Sequence, residues 1–174
     1  QRYERLPAPT RSRLALENDD GRFSVPDILW LHRQTGVPLV FDYLHFRNHN
    51  PEGLTAVEAL SMCLRTWPTG VRPKIHFSSP RTAMRFIERK HAKSGPTSSL
   101  MRAPRPTQHA DFVDPFQFLE FIGEAMRQIV PPFDVMLEAK AKDLALLHLR
   151  EHLDRFAPDT LAYGNDGGNR RAPR

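Results

Sequence analysis

The chain has 174 residues, 40% of them hydrophobic and 26% charged, which suits a single globular domain with a sizeable core. Its apolar runs are a few residues long, far short of a membrane span, and Cys63 is the single cysteine, which excludes an intramolecular disulfide or a cysteine-based zinc site. The formal net charge of +5 is compatible with an anionic partner, although Arg170, Arg171 and Arg174 near the C-terminus contribute much of it.

The first residues, including Arg2, Glu4 and Arg5, carry no apolar core of a signal peptide. With one cysteine this reads as an intracellular chain, cytoplasmic at the nucleoid in a bacterium or nuclear in a eukaryote. Gln1 stands where a methionine is expected, as in a truncated sequence.

A first short strand is expected from Leu14 to Asp19. Ser24, with Asp27 three residues on, then caps a helix through Ile28, Leu29 and Leu31 that stops at Gly36. A second strand spans Leu39 to His45, and Thr55 with Glu58 caps a helix carrying Ala59, Leu60, Met62 and Cys63. The third strand covers Lys74 to Ser78. From Arg81 to Gln108 the chain is basic, then rich in Ser, Pro and Gly; its second half, 92–108, reads as a long flexible loop inserted into the domain. A helix follows from Asp114 to Ile129, with Pro115 in its first turn and an apolar face of Phe118, Phe121, Ile122 and Met126. The fourth strand is Val135 to Glu138, and the last helix uses Leu144, Leu147, Leu149 and Leu153. The domain is thus 1–157, and 158–174 reads as a disordered tail.

Short apolar strands alternating with amphipathic helices predict an α/β fold with a parallel sheet. A doubly wound sheet and part of a (β/α)8 barrel both fit, but no glycine-rich phosphate loop supports a dinucleotide fold. Four β/α units are about half of a full barrel of roughly 250 residues.

The strand ends carry the chemistry: Glu17, then Asp42 with His45, then Lys74 with His76, then Glu138, and His109 follows in a loop. Carboxylates and imidazoles converging on one pole suit a divalent cation held by mixed oxygen and nitrogen donors. Singly, each has a structural explanation: Glu17 as a strand-end ion pair, Asp42 and His45 as a hydrogen-bonded pair, Glu138 paired with Lys140 or Lys142. The recurrence at four strand ends is the signal. Lys74 and His76, two apart, share a strand face. An inward Lys74 needs deprotonation, a carboxylate partner, or carboxylation to a carbamate. His32, His49, His91, His148 and His152 have no such placement and read as surface or helix residues.

The segments LALENDD, TGVPLVFDYLH, PKIHFSSPR, HADFVDP and DVMLEAKAKDLALL, in order over most of residues 10 to 155, together resemble the UV-damage endonuclease family. Endonuclease IV and xylose-isomerase-like barrels share the architecture but match these motifs less well. The resemblance implies a (β/α)8 TIM barrel, of which this chain holds the last four units, its N-terminal half missing. It also implies up to three divalent ions, usually manganese. Residue by residue, Glu17, Asp42, His45, His76, His109 and Glu138 match metal ligands, and Lys74 matches a carboxylated lysine, giving Glu17 and Lys74 catalytic roles. The implied activity is incision of UV-damaged double-stranded DNA immediately 5′ to cyclobutane pyrimidine dimers and 6-4 photoproducts. The Pro80–His109 connection is longer than the resemblance leads one to expect; Arg81, Arg85 and Arg89 within it are candidate DNA contacts, and equally fit a solvated helix face and tether. Without the rest of a barrel, the chain alone is expected not to cleave DNA.

Other readings remain open: a metal-dependent sugar isomerase or epimerase on a similar barrel, or a non-catalytic piece that binds DNA or dimerises through open sheet edges. A serine or cysteine nucleophile is disfavoured, because no Gly-x-Ser-x-Gly elbow exists and Cys63 falls on a helical pattern.

Overall fold

The computed structural model describes residues 2–90, 97–128 and 130–162. After a short helical turn, α1 (Ala8–Arg11), the chain alternates: β1 (Leu16–Glu17), α2 (Val25–Thr35), β2 (Leu39–Asp42), α3 (Tyr43–Asn48), α4 (Ala56–Leu64) and β3 (Lys74–Phe77). A hairpin of β4 (Arg85–Lys90) and β5 (Thr97–Arg102) follows, then α5 (Pro115–Arg127), β6 (Asp134–Leu137), α6 (Asp143–Phe156) and α7 (Pro158–Ala162). No helix among the described residues is long and apolar enough to cross a membrane.

The main sheet has the order β1-β2-β3-β6 and every pairing in it is parallel. Side chains alternate between its faces, so register decides what each face presents. Leu39, Phe41, Ile75 and Phe77 are fully buried on one face, against Val25 and Ile28 of α2, Val57 and Leu60 of α4, Phe118 and Phe121 of α5, and Leu149 and Leu153 of α6. Phe121 stacks near both Phe41 and Phe77, and Phe118 meets Phe77 edge-on at 5.1 Å. The opposite face carries Glu17, Asp42, Lys74, His76 and Met136; Lys74 and Met136 there are exposed. The sheet is open, with β1 and β6 as its edges among the described residues.

Local signals explain where the helices begin. Ser24 with Asp27 and Thr55 with Glu58 both form reciprocal capping boxes, and Asp114 accepts from the N–H groups of Phe116 and Gln117. Gly36 ends α2 in the left-handed conformation, at φ 71°, that glycine adopts without penalty.

Five expectations are corrected. β2 ends at Asp42 rather than His45, because the Asp42 carboxylate accepts the His45 N–H at 2.7 Å and starts α3. Within the expected 92–108 loop, Thr97–Arg102 is a strand, since Phe86 pairs with Met101 and Ile87 with Leu100 across the hairpin; residues 91–96, and with them His91, lie outside the described residues. The start of the expected disordered tail, Pro158–Ala162, is helical, while 163–174 lie outside the described residues. In α6 the buried stripe is Ala145, Leu149 and Leu153, a true i, i+4, i+8 row, and Leu144 and Leu147 are exposed. The helix expected to reach Ile129 ends at Arg127, and Ile129 itself lies outside the described residues.

Candidate metal centre

Four strands deliver four ligand-type side chains to one pole. Glu17 ends β1, Asp42 ends β2, His76 stands one residue before the end of β3, and Glu138 directly follows β6, its N–H bonded to the Phe77 carbonyl at 3.0 Å. One ligand atom from each of Glu17, Asp42, His76 and Glu138 lies within 4.8 Å of the others. Parallel register makes this meeting possible, since Asp42 stands opposite His76.

The ring of His76 is the centre of the group. Its Nδ1 is 3.1 Å from Glu17 Oε1, 3.5 Å from Glu138 Oε1 and 4.0 Å from Asp42 Oδ2. These are close approaches without hydrogen-bond alignment: His76 Nδ1, Glu17 Oε1 and Asp42 Oδ2 are all buried with no hydrogen-bond partner. Buried polar atoms are rarely left unpaired. Three such atoms facing one point, two of them carboxylate oxygens, fit a divalent cation that would take up their lone pairs.

Two further histidines flank the four. His45, in the first turn of α3, has Nδ1 3.0 Å from the Asn18 carbonyl and 3.2 Å from Glu17 Oε1. His109 Nδ1 is 2.8 Å from the Glu138 carbonyl, and the two rings are 6.2 Å apart. In both, a carbonyl accepts from Nδ1–H, which selects the tautomer with a bare Nε2, the form a metal-binding histidine needs.

The charges are strongly coupled. Burial opposes ionisation of Glu17, but the His45 and His76 rings outweigh it and hold the carboxyl well below its usual range. Burial, reinforced by the neighbouring Glu17 carboxylate, pushes Asp42 up to about 7 against the His45 N–H it accepts. His45 is raised to about 9 and His76 is also raised, in each case chiefly by Glu17. Protons here fill the role that a cation would otherwise take.

Asn18 holds the ends of β1 and β2 in place. Its Nδ2 donates to the Asp42 carbonyl at 3.0 Å and its Oδ1 accepts the Asp42 N–H at 2.9 Å. Ser79 does the same for the His109 segment, accepting the Ala110 N–H through its carbonyl and the Asp114 N–H through Oγ. Sequence reasoning singled out neither residue. The signal for Asn18 was its place beside Glu17 in LEND.

Lys74 lies on the same face as His76, as strand periodicity predicts, but its Nζ pairs with Asp134 Oδ2 at 3.4 Å rather than joining the cluster. Of the three ways to accommodate an inward lysine, a carboxylate partner is the one seen. Arg81 is largely buried, with Nη2 3.6 Å from Asp111, whereas Arg85 is exposed on β4. Arg89 is in β4 opposite Ser98, and its side chain lies outside the described residues. His32, His49, His148 and His152 are apart from the cluster; His32 bonds to the Val37 carbonyl, and the His148 and His152 rings meet at a tilt on α6.

A cleft of about 390 Å³ opens beside His109 and Glu138, and Lys140 and Lys142 line it. Lys142 has φ 53°, the only positive φ at a non-glycine residue among the described ones, a strained backbone of the kind found at binding sites. A larger cleft of about 520 Å³, between Tyr43, Phe116 and Glu120, contains none of the cluster.

Residues 1–161 match the family model described as UV-endonuclease UvdE. The chain is 35% identical over 149 residues to the UV DNA damage endonuclease of Bacillus velezensis, covering 85% of this chain and 40% of that protein. It is 34% identical over 151 residues to the enzyme of the same name from Bacillus mycoides, covering 86% and 40%. Among solved structures, the crystal structure of SacUVDE aligns with a TM-score of 0.65 and 31% identity, over 88% of this chain and 43% of that one. The chain therefore spans about 40% of the length of the curated relatives it matches.

Proposed function

This chain belongs to the UV-endonuclease UvdE family, and from that premise we propose that it supplies one wall of the active site of a DNA-repair endonuclease using divalent cations. The observation that carries the proposal is the convergence of Glu17, Asp42, His76 and Glu138 from four successive parallel strands, with three buried ligand atoms left unpartnered. The family match favours this reading over a sugar isomerase on a similar barrel.

Glu17, Asp42, His76 and Glu138, with His45 and His109 presenting Nε2, would hold the cations, manganese by the family resemblance. When bound, such ions lower the pKa of water and stabilise charge on a phosphate and its leaving oxygen. The protein's own part is to pre-set donors: Asn18 fixes the Asp42 backbone, and the Asn18 and Glu138 carbonyls fix the two imidazole tautomers. Glu17, held ionised by the His45 and His76 rings, would serve the reaction as a charged ligand of the cations. Lys140 and Lys142 offer positive charge beside the cluster to an incoming phosphodiester. Lys74 is proposed to leave Asp134 and act as a carbamate.

The substrate on this reading is double-stranded DNA carrying cyclobutane pyrimidine dimers or 6-4 photoproducts, incised on the 5′ side. The four strands are taken to be the last four of a (β/α)8 barrel, since the core covers one sheet face only and the edges β1 and β6 are open. Because this leaves the pole walled on one side, the 174-residue chain alone is expected to bind Mn²⁺ but not to nick. Calorimetric titration of the chain with Mn²⁺ tests the centre: wild type takes up the ion, and Glu17→Gln with Glu138→Gln does not. No heat of binding in the wild type would remove the reading. Metal-dependent nicking of UV-irradiated plasmid by a longer protein carrying this chain would establish the activity.

A further inference from the structure

The β4–β5 hairpin is open on both faces: its described side chains, 85–88 and 98–102, are all exposed. Phe86 is 73% exposed, Leu100 61% and Met101 50%, although each stands in a regular antiparallel register. A lone two-stranded ribbon is marginal in water, and contiguous exposed apolar surface marks a contact site. The register adds a second peculiarity: Arg85 stands directly opposite Arg102. Like charges at opposed positions destabilise a strand pair, unless an anion lies between them.

Charge is concentrated here as well. Residues 81–108 carry seven Lys or Arg against a single acid, Glu88, a formal +6 that exceeds the +5 of the whole chain. Without this segment the chain would be slightly acidic. Opposed residues share a face, so Arg85, Arg102, Ile87 and Leu100 form one side of the ribbon, and Phe86, Met101 and Glu88 the other. One face is thus basic with an apolar centre, and the acid is on its back.

The hairpin is rooted at the candidate metal centre. Antiparallel pairing starts where Ala110 N–H donates to the Ser79 carbonyl, continues through a bridge between Pro80 and His109, and passes to Arg81 N–H on the Gln108 carbonyl. Whatever the ribbon grips is therefore held beside His109.

We propose that the β4–β5 hairpin is a DNA-gripping arm whose Arg85/Arg102 face straddles the phosphate backbone of the duplex next to the metal centre. This rests on the nuclease reading for the identity of the anion, not for the arm's chemistry. A two-stranded ribbon has the width that the major groove of B-DNA admits, and paired arginines are suited to phosphate oxygens. A second copy of this chain is a poorer occupant, because a two-fold contact through this face would set arginine against arginine.

The test is fluorescence anisotropy of the 174-residue chain with a fluorescein-labelled DNA duplex over a salt series, without added metal. Arg85→Gln with Arg102→Gln should weaken binding on the order of tenfold and make the slope of log affinity against log salt shallower by about two. Arg85→Lys with Arg102→Lys should keep the slope, and circular dichroism should show both variants folded. An unchanged affinity and slope in the glutamine variant overturns the proposal. So does a dimer in sedimentation that the glutamine variant disrupts while its DNA binding is unchanged. The two readings separate cleanly. A chain that binds DNA through the arm but takes up no Mn²⁺ sinks the metal centre and leaves the arm; one that takes up Mn²⁺ and ignores the arm does the reverse.

Discussion

Asn18 and Asp42 grip each other through two reciprocal hydrogen bonds, the Asn18 amide spanning both the carbonyl and the N–H of Asp42 at 3.0 and 2.9 Å. Both residues are fully buried. The consequence is that a carboxylate at the end of one strand is aimed by an amide at the end of its neighbour. Asn18→Leu removes both bonds and strands two backbone groups, each unmet bond costing about 1–3 kcal/mol. Urea denaturation should show a loss of about 2–4 kcal/mol, and Mn²⁺ affinity should fall with it. Full stability with unimpaired metal binding would remove Asn18 from its positioning role.

Asp42→Asn tests whether the cluster trades stability for binding. Asparagine keeps an Oδ1 to accept the His45 N–H and removes a carboxylate buried beside Glu17. The metal-free variant should melt at a higher temperature than wild type above pH 7, while its Mn²⁺ affinity drops at least tenfold, roughly the scale of a lost ligand contact. Calorimetric melting with EDTA, and titration without it, check the two halves.

Without metal, stability should fall as pH rises. The Asp42 carboxyl is raised from 3.8 to about 7, so the folded chain retains a proton that the unfolded chain has lost, and stability declines across that interval. His45, raised from 6.5 to about 9, contributes stability that is complete below 6.5 and is lost as pH climbs through about 9. Glu17, lowered, acts on the acid side: its contribution is present above 4.5 and disappears as pH falls. The optimum therefore lies near the 3.8 to 4.5 interval, where the rise from Glu17 ends and the fall from Asp42 begins. Saturating Mn²⁺ should flatten the alkaline limb, since the cation replaces those protons. Urea melts at about pH 5.5 and about 8.5, both on the declining side, with and without metal, decide it; a rise between them in EDTA would be incompatible with this cluster.

Lys74 separates fold from chemistry. Its ion pair with Asp134 is half exposed and shared with Arg72, so Lys74→Ala should cost no more than about 1 kcal/mol. If Lys74 serves as a carbamate, the same substitution abolishes incision by the longer protein, and intact-mass measurement of the wild type under bicarbonate finds the added mass of one carbon dioxide. Unaltered incision by Lys74→Ala would strike it from the site.

Helix starts were legible because their signals are local. Ser24 with Asp27, Thr55 with Glu58, and Asp114 before Pro115 each act within a single turn. The parallel sheet was legible from compact apolar runs such as those ending at Asp42 and Phe77, which the helices bury on one face. Placement of Glu17, Asp42, His76 and Glu138 at successive strand ends followed from the same pattern, as did the shared face of Lys74 and His76.

What the sequence determined by itself was the order of elements and the residue types at the strand ends, since capping and periodicity operate over a few residues. What only the tertiary structure decided was which distant groups meet. Asn18 reaches Asp42 across 24 residues, Lys74 finds Asp134 across 60, and β5 forms within a segment whose composition reads as loop. Pairing at that separation depends on register and packing summed over the whole fold, which no local pattern encodes.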